Sequence, residues 1–192
     1  MDVFLIAFST IAIAEMGDRT QLLSLFLSAH FRKPWPITAG ILVATLANHA
    51  LAGLVGVWIG HYLTPAILDA VVGISMLAMA GWTLIPDKLD GNTEIASRGA
   101  FVTTLLAFFV AEIGDKTQIA TIALAAGYSN LPAIVAGTTL GMLAANVPVV
   151  FLGIAFATRL PMKQIHYVAS VLFALLGLYF IARAAAHWLA MG

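Results

Sequence analysis

Glu15-Met16-Gly17-Asp18-Arg19-Thr20-Gln21 places two carboxylates, a base, a hydroxyl and an amide within one heptapeptide. The same order of chemistry returns as Glu112-Ile113-Gly114-Asp115-Lys116-Thr117-Gln118, offset by 97 residues. Both copies interrupt strongly apolar runs. Ionisable side chains at membrane depth are costly and mark functional sites by default. A dense set of oxygen donors suits Ca²⁺, Mg²⁺ or Mn²⁺, and the lack of Cys and His in the motif argues against Zn²⁺ or copper. On a continuous helix Glu15 and Asp18 lie about 60° apart, as do Glu112 and Asp115, and the step repeats to Gln21 and Gln118. The spacing therefore predicts a carboxylate, carboxylate, amide stripe on each of two helices. Facing stripes would form an oxygen cage.

Glu15, Asp18, Glu112 and Asp115, set against Arg19 and Lys116, sum to a formal charge of −2. One divalent cation or two protons would neutralise it, which suggests exchange of a metal ion for about two protons. Burial and like charge favour the protonated acids, the neighbouring bases favour the ionised ones, and the sequence does not decide between them. A salt-bridge network that merely ties helices together would explain charge pairs, but not two excess acids duplicated at one spacing. Gly17 and Gly114 allow close helix approach or a local break that frees backbone carbonyls. Asn48 and Asn146 could extend the cage from the following spans or hydrogen-bond between helices. Met16 reads as a gap filler, and Thr20 and Thr117 as capping or back-bonding groups. His49 reads as a hydrogen-bonded polar residue, and Asp69 as a favourable charge at a helix start.

Membrane helices must hold these residues. Of 192 residues, 61% are hydrophobic and 9% charged, against about 25% charged in soluble domains. The sequence predicts an all-α integral membrane protein embedded in a lipid bilayer. At about 20 residues per span it has room for six transmembrane helices: 3–29, 37–59, 66–85, 99–126, 133–158 and 165–189. The polar segment 87–98 reads as a linker between a first three-helix repeat, 1–86, and a second, 99–192. Gly40 and Gly137 repeat at an offset of 97, and Asn48 and Asn146 at 98. An odd number of spans per repeat inverts the halves, an architecture of secondary transporters with the site at the repeat interface. Basic residues fall mainly after spans one, three and five, at Arg32, Lys33, Lys88, Arg98, Arg159 and Lys163. This predicts a cytoplasmic linker with both termini on the opposite side. The first helix reads as retained, not as a cleaved signal. Nine bases balance nine acids and there is no cysteine, so neither a nucleic-acid surface nor a thiolate site is expected. Hydrolase motifs are absent, and no enzyme activity or cofactor is expected.

Two copies of Glu-x-Gly-Asp-(Lys/Arg)-Thr in spans one and four of a small six-span protein resemble the uncharacterised protein family 0016. That is the family of the Golgi transmembrane protein 165, within the lysine-exporter superfamily. The resemblance covers essentially the whole chain. It implies Mn²⁺ or Ca²⁺ transport in exchange for protons, with Glu15, Asp18, Glu112 and Asp115 as cation-binding acids. The short linker resembles that of bacterial inner-membrane members, which implies Mn²⁺ export. A Ca²⁺/H⁺ exchanger and an acid-lined cation channel stay open as alternatives, as does a homo-oligomer.

Overall fold

A computed structural model describes residues 2–85, 99–153 and 162–190. The described residues form helices α1 (Val3–Glu15), α2 (Arg19–Phe31), α3 (Pro34–Tyr62), α4 (Pro65–Trp82), α5 (Ala100–Glu112), α6 (Lys116–Gly127), α7 (Leu131–Leu152) and α8 (Met162–Leu189). Among them α3, α4, α7 and α8 are long and apolar enough to cross a membrane. The expected linker 87–98 lies outside the described residues, with Lys88 and Arg98, and so does Arg159.

Spans one and four are not single helices. Each is two helices of 12 or 13 residues meeting at the motif, α1 with α2 and α5 with α6. At about 1.5 Å per residue each piece is about 20 Å long, too short for a hydrocarbon layer of about 30 Å. Only joined end to end would the pieces be long enough to reach across.

Helix starts follow proline chemistry. Pro34 and Pro65 open α3 and α4, where their fixed φ suits the first turn and no donor is lost. Asn130 caps α7 by accepting from the Ala133 N–H at 3.1 Å. Pro148 sits inside α7 without ending it. Side chains of α2 donate to carbonyls on the same stretch, Gln21 to Ala145 at 3.0 Å and Ser28 to Val150 at 2.7 Å.

The helices interleave. The first half-helix α1 packs on α7, α5 packs on α3, and α4 packs along α8. Small residues make these approaches close. A Cβ on Gly137 would lie 2.6 Å from the Phe4 carbonyl oxygen, and one on Gly40 2.9 Å from that of Phe101. The repeated glycines are thus the points where a long helix meets a half-helix. Two buried apolar clusters result. The larger contains Ile11, Met76, Leu124, Met142, Phe173 and Phe180 and draws in α4 and α8. The smaller contains Leu23, Leu27, Ile41, Phe108 and Val150, on α2, α3, α5 and α7 only. Trp35, Trp58, Tyr62, Tyr167 and Trp188 are exposed near helix ends, where an interfacial belt requires them.

Candidate cation site

The two motif glycines decide the local geometry. Gly17 has φ +85° and Gly114 φ +74°, a region that costs other L-residues about 1–2 kcal/mol. Helix α1 therefore stops at Glu15, and α2 restarts at Arg19. Helix α5 stops at Glu112, and α6 restarts at Lys116. The stripe expected from a continuous helix is absent, because its middle is unwound.

Unwound backbone inside a membrane must find partners. The Gly17 N–H donates to Gln21 Oε1 at 2.9 Å, and the Gly114 N–H to Gln118 Oε1 at 2.7 Å. The two amide oxygens expected to face a cation instead hold the breaks closed. Asp18 and Asp115 are the N-cap residues of α2 and α6, yet neither side chain caps its helix. Both carboxylates reach the opposite motif, and Asp115 Oδ2 also accepts from Thr117 of its own motif at 3.3 Å.

The bases are exchanged between motifs. Lys116 Nζ donates to Asp18 Oδ1 at 2.6 Å, with both side chains buried. Arg19 Nη2 lies 3.1 Å from Asp115 Oδ1 and also donates to the Ala111 carbonyl at 2.6 Å. Each motif's aspartate is thus matched by the other motif's base.

Glu15, Asp18 and Asp115 bring one carboxylate oxygen each within 4.8 Å of one another, and all three are buried. Thr20 donates to Glu15 Oε2 at 2.5 Å, while Glu15 Oε1 has no hydrogen-bond partner. Glu112 stands beside this triad, close enough to interact electrostatically with Glu15 and Asp115. Its Oε1 accepts from Thr45 at 2.8 Å, and its Oε2 has no hydrogen-bond partner. His49 Nε2 lies 4.0 Å from that oxygen. Neither His49 nitrogen is hydrogen-bonded, contrary to the role read from sequence.

Asn48 donates to the Phe109 carbonyl at 3.0 Å. Asn146 donates to the Met142 carbonyl at 3.1 Å and accepts from Ser24 at 2.8 Å. These bonds tie α3 to α5 and α7 to α2, and the Asn48 side chain also lies close enough to the Glu112 carboxylate to interact with it. Thr20 acts on Glu15 across the break, and Thr45 was not singled out by sequence at all. Asp69 is also more than a helix-start charge. It is buried and pairs with Arg183 at 3.3 Å and His187 at 3.4 Å, joining α4 to α8.

The chain matches the family model described as divalent cation/proton antiporter GDT1 twice, over residues 3–91 and 100–188. It is 55% identical over 179 residues to a Vibrio cholerae protein named "Putative manganese exporter", covering 93% of this chain and 90% of that one. It is 29% identical over 188 residues to a GDT1-like protein of Synechocystis, covering 85% and 88%. No solved structure matches.

Proposed function

The chain belongs to the divalent cation/proton antiporter family GDT1, and on that premise we propose that it exports Mn²⁺ from the cytoplasm in exchange for protons. The manganese assignment leans on the Vibrio cholerae relative's name. The observation that carries the site is the buried triad of Glu15, Asp18 and Asp115, with Glu112 alongside. An ionised carboxylate oxygen with no donor, out of water, is costly. A cation among the three acids removes that cost, and so does a proton. The two occupants therefore exclude one another, which is the requirement for exchange.

Lys116 and Arg19 hold the aspartates in place and limit the excess charge to what one divalent ion or two protons neutralise. Gly17 and Gly114 supply the unwound segments, and Gln21 and Gln118 brace them. Asn48 and Asn146 fix the neighbouring helices. The architecture we infer is six spans in two inverted repeats, 1–86 and 99–192, with α1–α2 and α5–α6 as the discontinuous spans. The double family match and the crossed base pairs support it. Discontinuous helices meeting at midplane are a common way to build a transporter site. The basic residues support an inner-membrane orientation with cytoplasmic linker and both termini outside.

The test is metal-driven proton movement in proteoliposomes, comparing Mn²⁺, Ca²⁺ and Mg²⁺, for wild type and Glu15→Gln. Proton movement driven by Mn²⁺ and lost in the variant is the expected result. Metal flux without proton flux would replace the exchanger by a channel, and flux with Ca²⁺ alone would reassign the cargo.

A further inference from the structure

His49 is a buried side chain beside the site that the exchange reading leaves unused. It is 1% exposed, and neither ring nitrogen has a hydrogen-bond partner. A buried donor left unpaired costs about 1–3 kcal/mol, a cost that a bound ligand at the ring would relieve. Its Nε2 lies 4.0 Å from Glu112 Oε2, which is unpartnered as well. That distance is too long for a hydrogen bond. It does fall within the range open to two donors sharing one metal ion. With metal–ligand bonds of about 2.1 Å, such atoms sit about 3.0 Å apart at right angles and about 4.2 Å apart across the ion.

The approach is held from both sides. Thr45 and His49 are four residues apart on α3 and share a face. Thr45 grips Glu112 Oε1, which leaves Oε2 turned to the ring. The second repeat has no equivalent, since α7 contains no histidine. The ring is therefore not something the repeated fold demands.

Resting on the export reading, we propose that His49 binds the transported cation through a ring nitrogen, together with Glu112, at a position adjoining the triad of Glu15, Asp18 and Asp115, and favours Mn²⁺ over Ca²⁺ and Mg²⁺. The chemistry follows from donor type. Carboxylate oxygens accept all three ions, whereas an imidazole nitrogen suits first-row transition metals and adds little for the two harder ions.

The experiment measures Mn²⁺, Ca²⁺ and Mg²⁺ binding to purified wild type and His49→Gln. It also records pulsed EPR spectra of the Mn²⁺-loaded proteins. Mn²⁺ affinity is expected to fall about tenfold or more in the variant, with Ca²⁺ and Mg²⁺ affinity little changed. Nitrogen hyperfine coupling to Mn²⁺ is expected in wild type and absent from the variant. An unchanged Mn²⁺/Ca²⁺ ratio in folded His49→Gln overturns the proposal while leaving export intact. If that variant does not fold, the wild-type spectrum decides, and a Mn²⁺ signal without nitrogen coupling overturns it. Wild type that neither binds nor moves Mn²⁺ overturns the export reading and this proposal with it.

Discussion

At the scale of single residues, the two exchanged ion pairs differ in weight. The Lys116–Asp18 pair is buried on both sides, whereas the Arg19 side chain is 33% exposed. Removing one partner of a buried pair costs about 3–5 kcal/mol, and the partial exposure of Arg19 lowers that cost for its pair although Asp115 is buried. Thermal unfolding in detergent should therefore show Lys116→Met less stable than Arg19→Met. Adding Asp18→Asn to Lys116→Met should recover part of the loss by removing the stranded charge, yet transport should stay absent because a site acid is gone. The acids also predict a sign for pH. If protons and Mn²⁺ share these oxygens as proposed, the Mn²⁺ concentration giving half-maximal flux should rise as pH falls on the loading side. A flux independent of pH would remove the shared-site mechanism.

Among the elements, the breaks at Gly17 and Gly114 matter most. A Cβ on Gly114 would meet nothing within 4 Å, so Gly114→Ala tests backbone conformation alone. It should cost about 1–2 kcal/mol and disturb transport out of proportion, since Glu112 and Asp115 flank the break. Helix contact is tested elsewhere. A Cβ on Gly73 of α4 would lie 2.9 Å from the Gly177 carbonyl oxygen on α8, and the reverse holds at the same distance. Gly73→Val should lower the melting temperature through overpacking of about 1–3 kcal/mol. Gly81→Ala, with nothing within 4 Å, should leave it nearly unchanged. These elements were unequally legible in the sequence. Hydropathy located α3, α4, α7 and α8 because lipid contact imposes length and apolarity together. The duplicated motif exposed the acids because their cost makes chance repetition implausible. The break was not legible, since a lone glycine is equally compatible with close packing. Once the helix unwinds, Gln21 and Gln118 are diverted to the freed N–H groups. The approach of Thr45 and His49 to Glu112 links residues more than sixty positions apart, and no local pattern encodes it.

Over the whole molecule, the two buried apolar clusters are packed unequally. The cluster that includes α1 and α6 recruits α4 and α8, whereas the one around α2 and α5 is built from four helices. The cluster built from fewer helices should open more readily. The native chain has no cysteine, so single thiols can report this. Leu27→Cys is expected to react faster with a membrane-impermeant reagent than Ile11→Cys, although both positions are fully buried. Saturating Mn²⁺ should slow the reaction at Leu27→Cys. Equal rates would place the mobile part elsewhere. The exchange of Lys116 and Arg19 between motifs has one more consequence, for assembly. Each half lends its base to the other's aspartate, so neither half is complete by itself. Residues 1–91 and 99–192, produced as two polypeptides in one cell, should combine into an active carrier, and either produced alone should be degraded. The peptide bond joining the halves would then be dispensable, and, on the inverted architecture proposed above, a gene for one half could have worked only by inserting two copies of its product in opposite orientations.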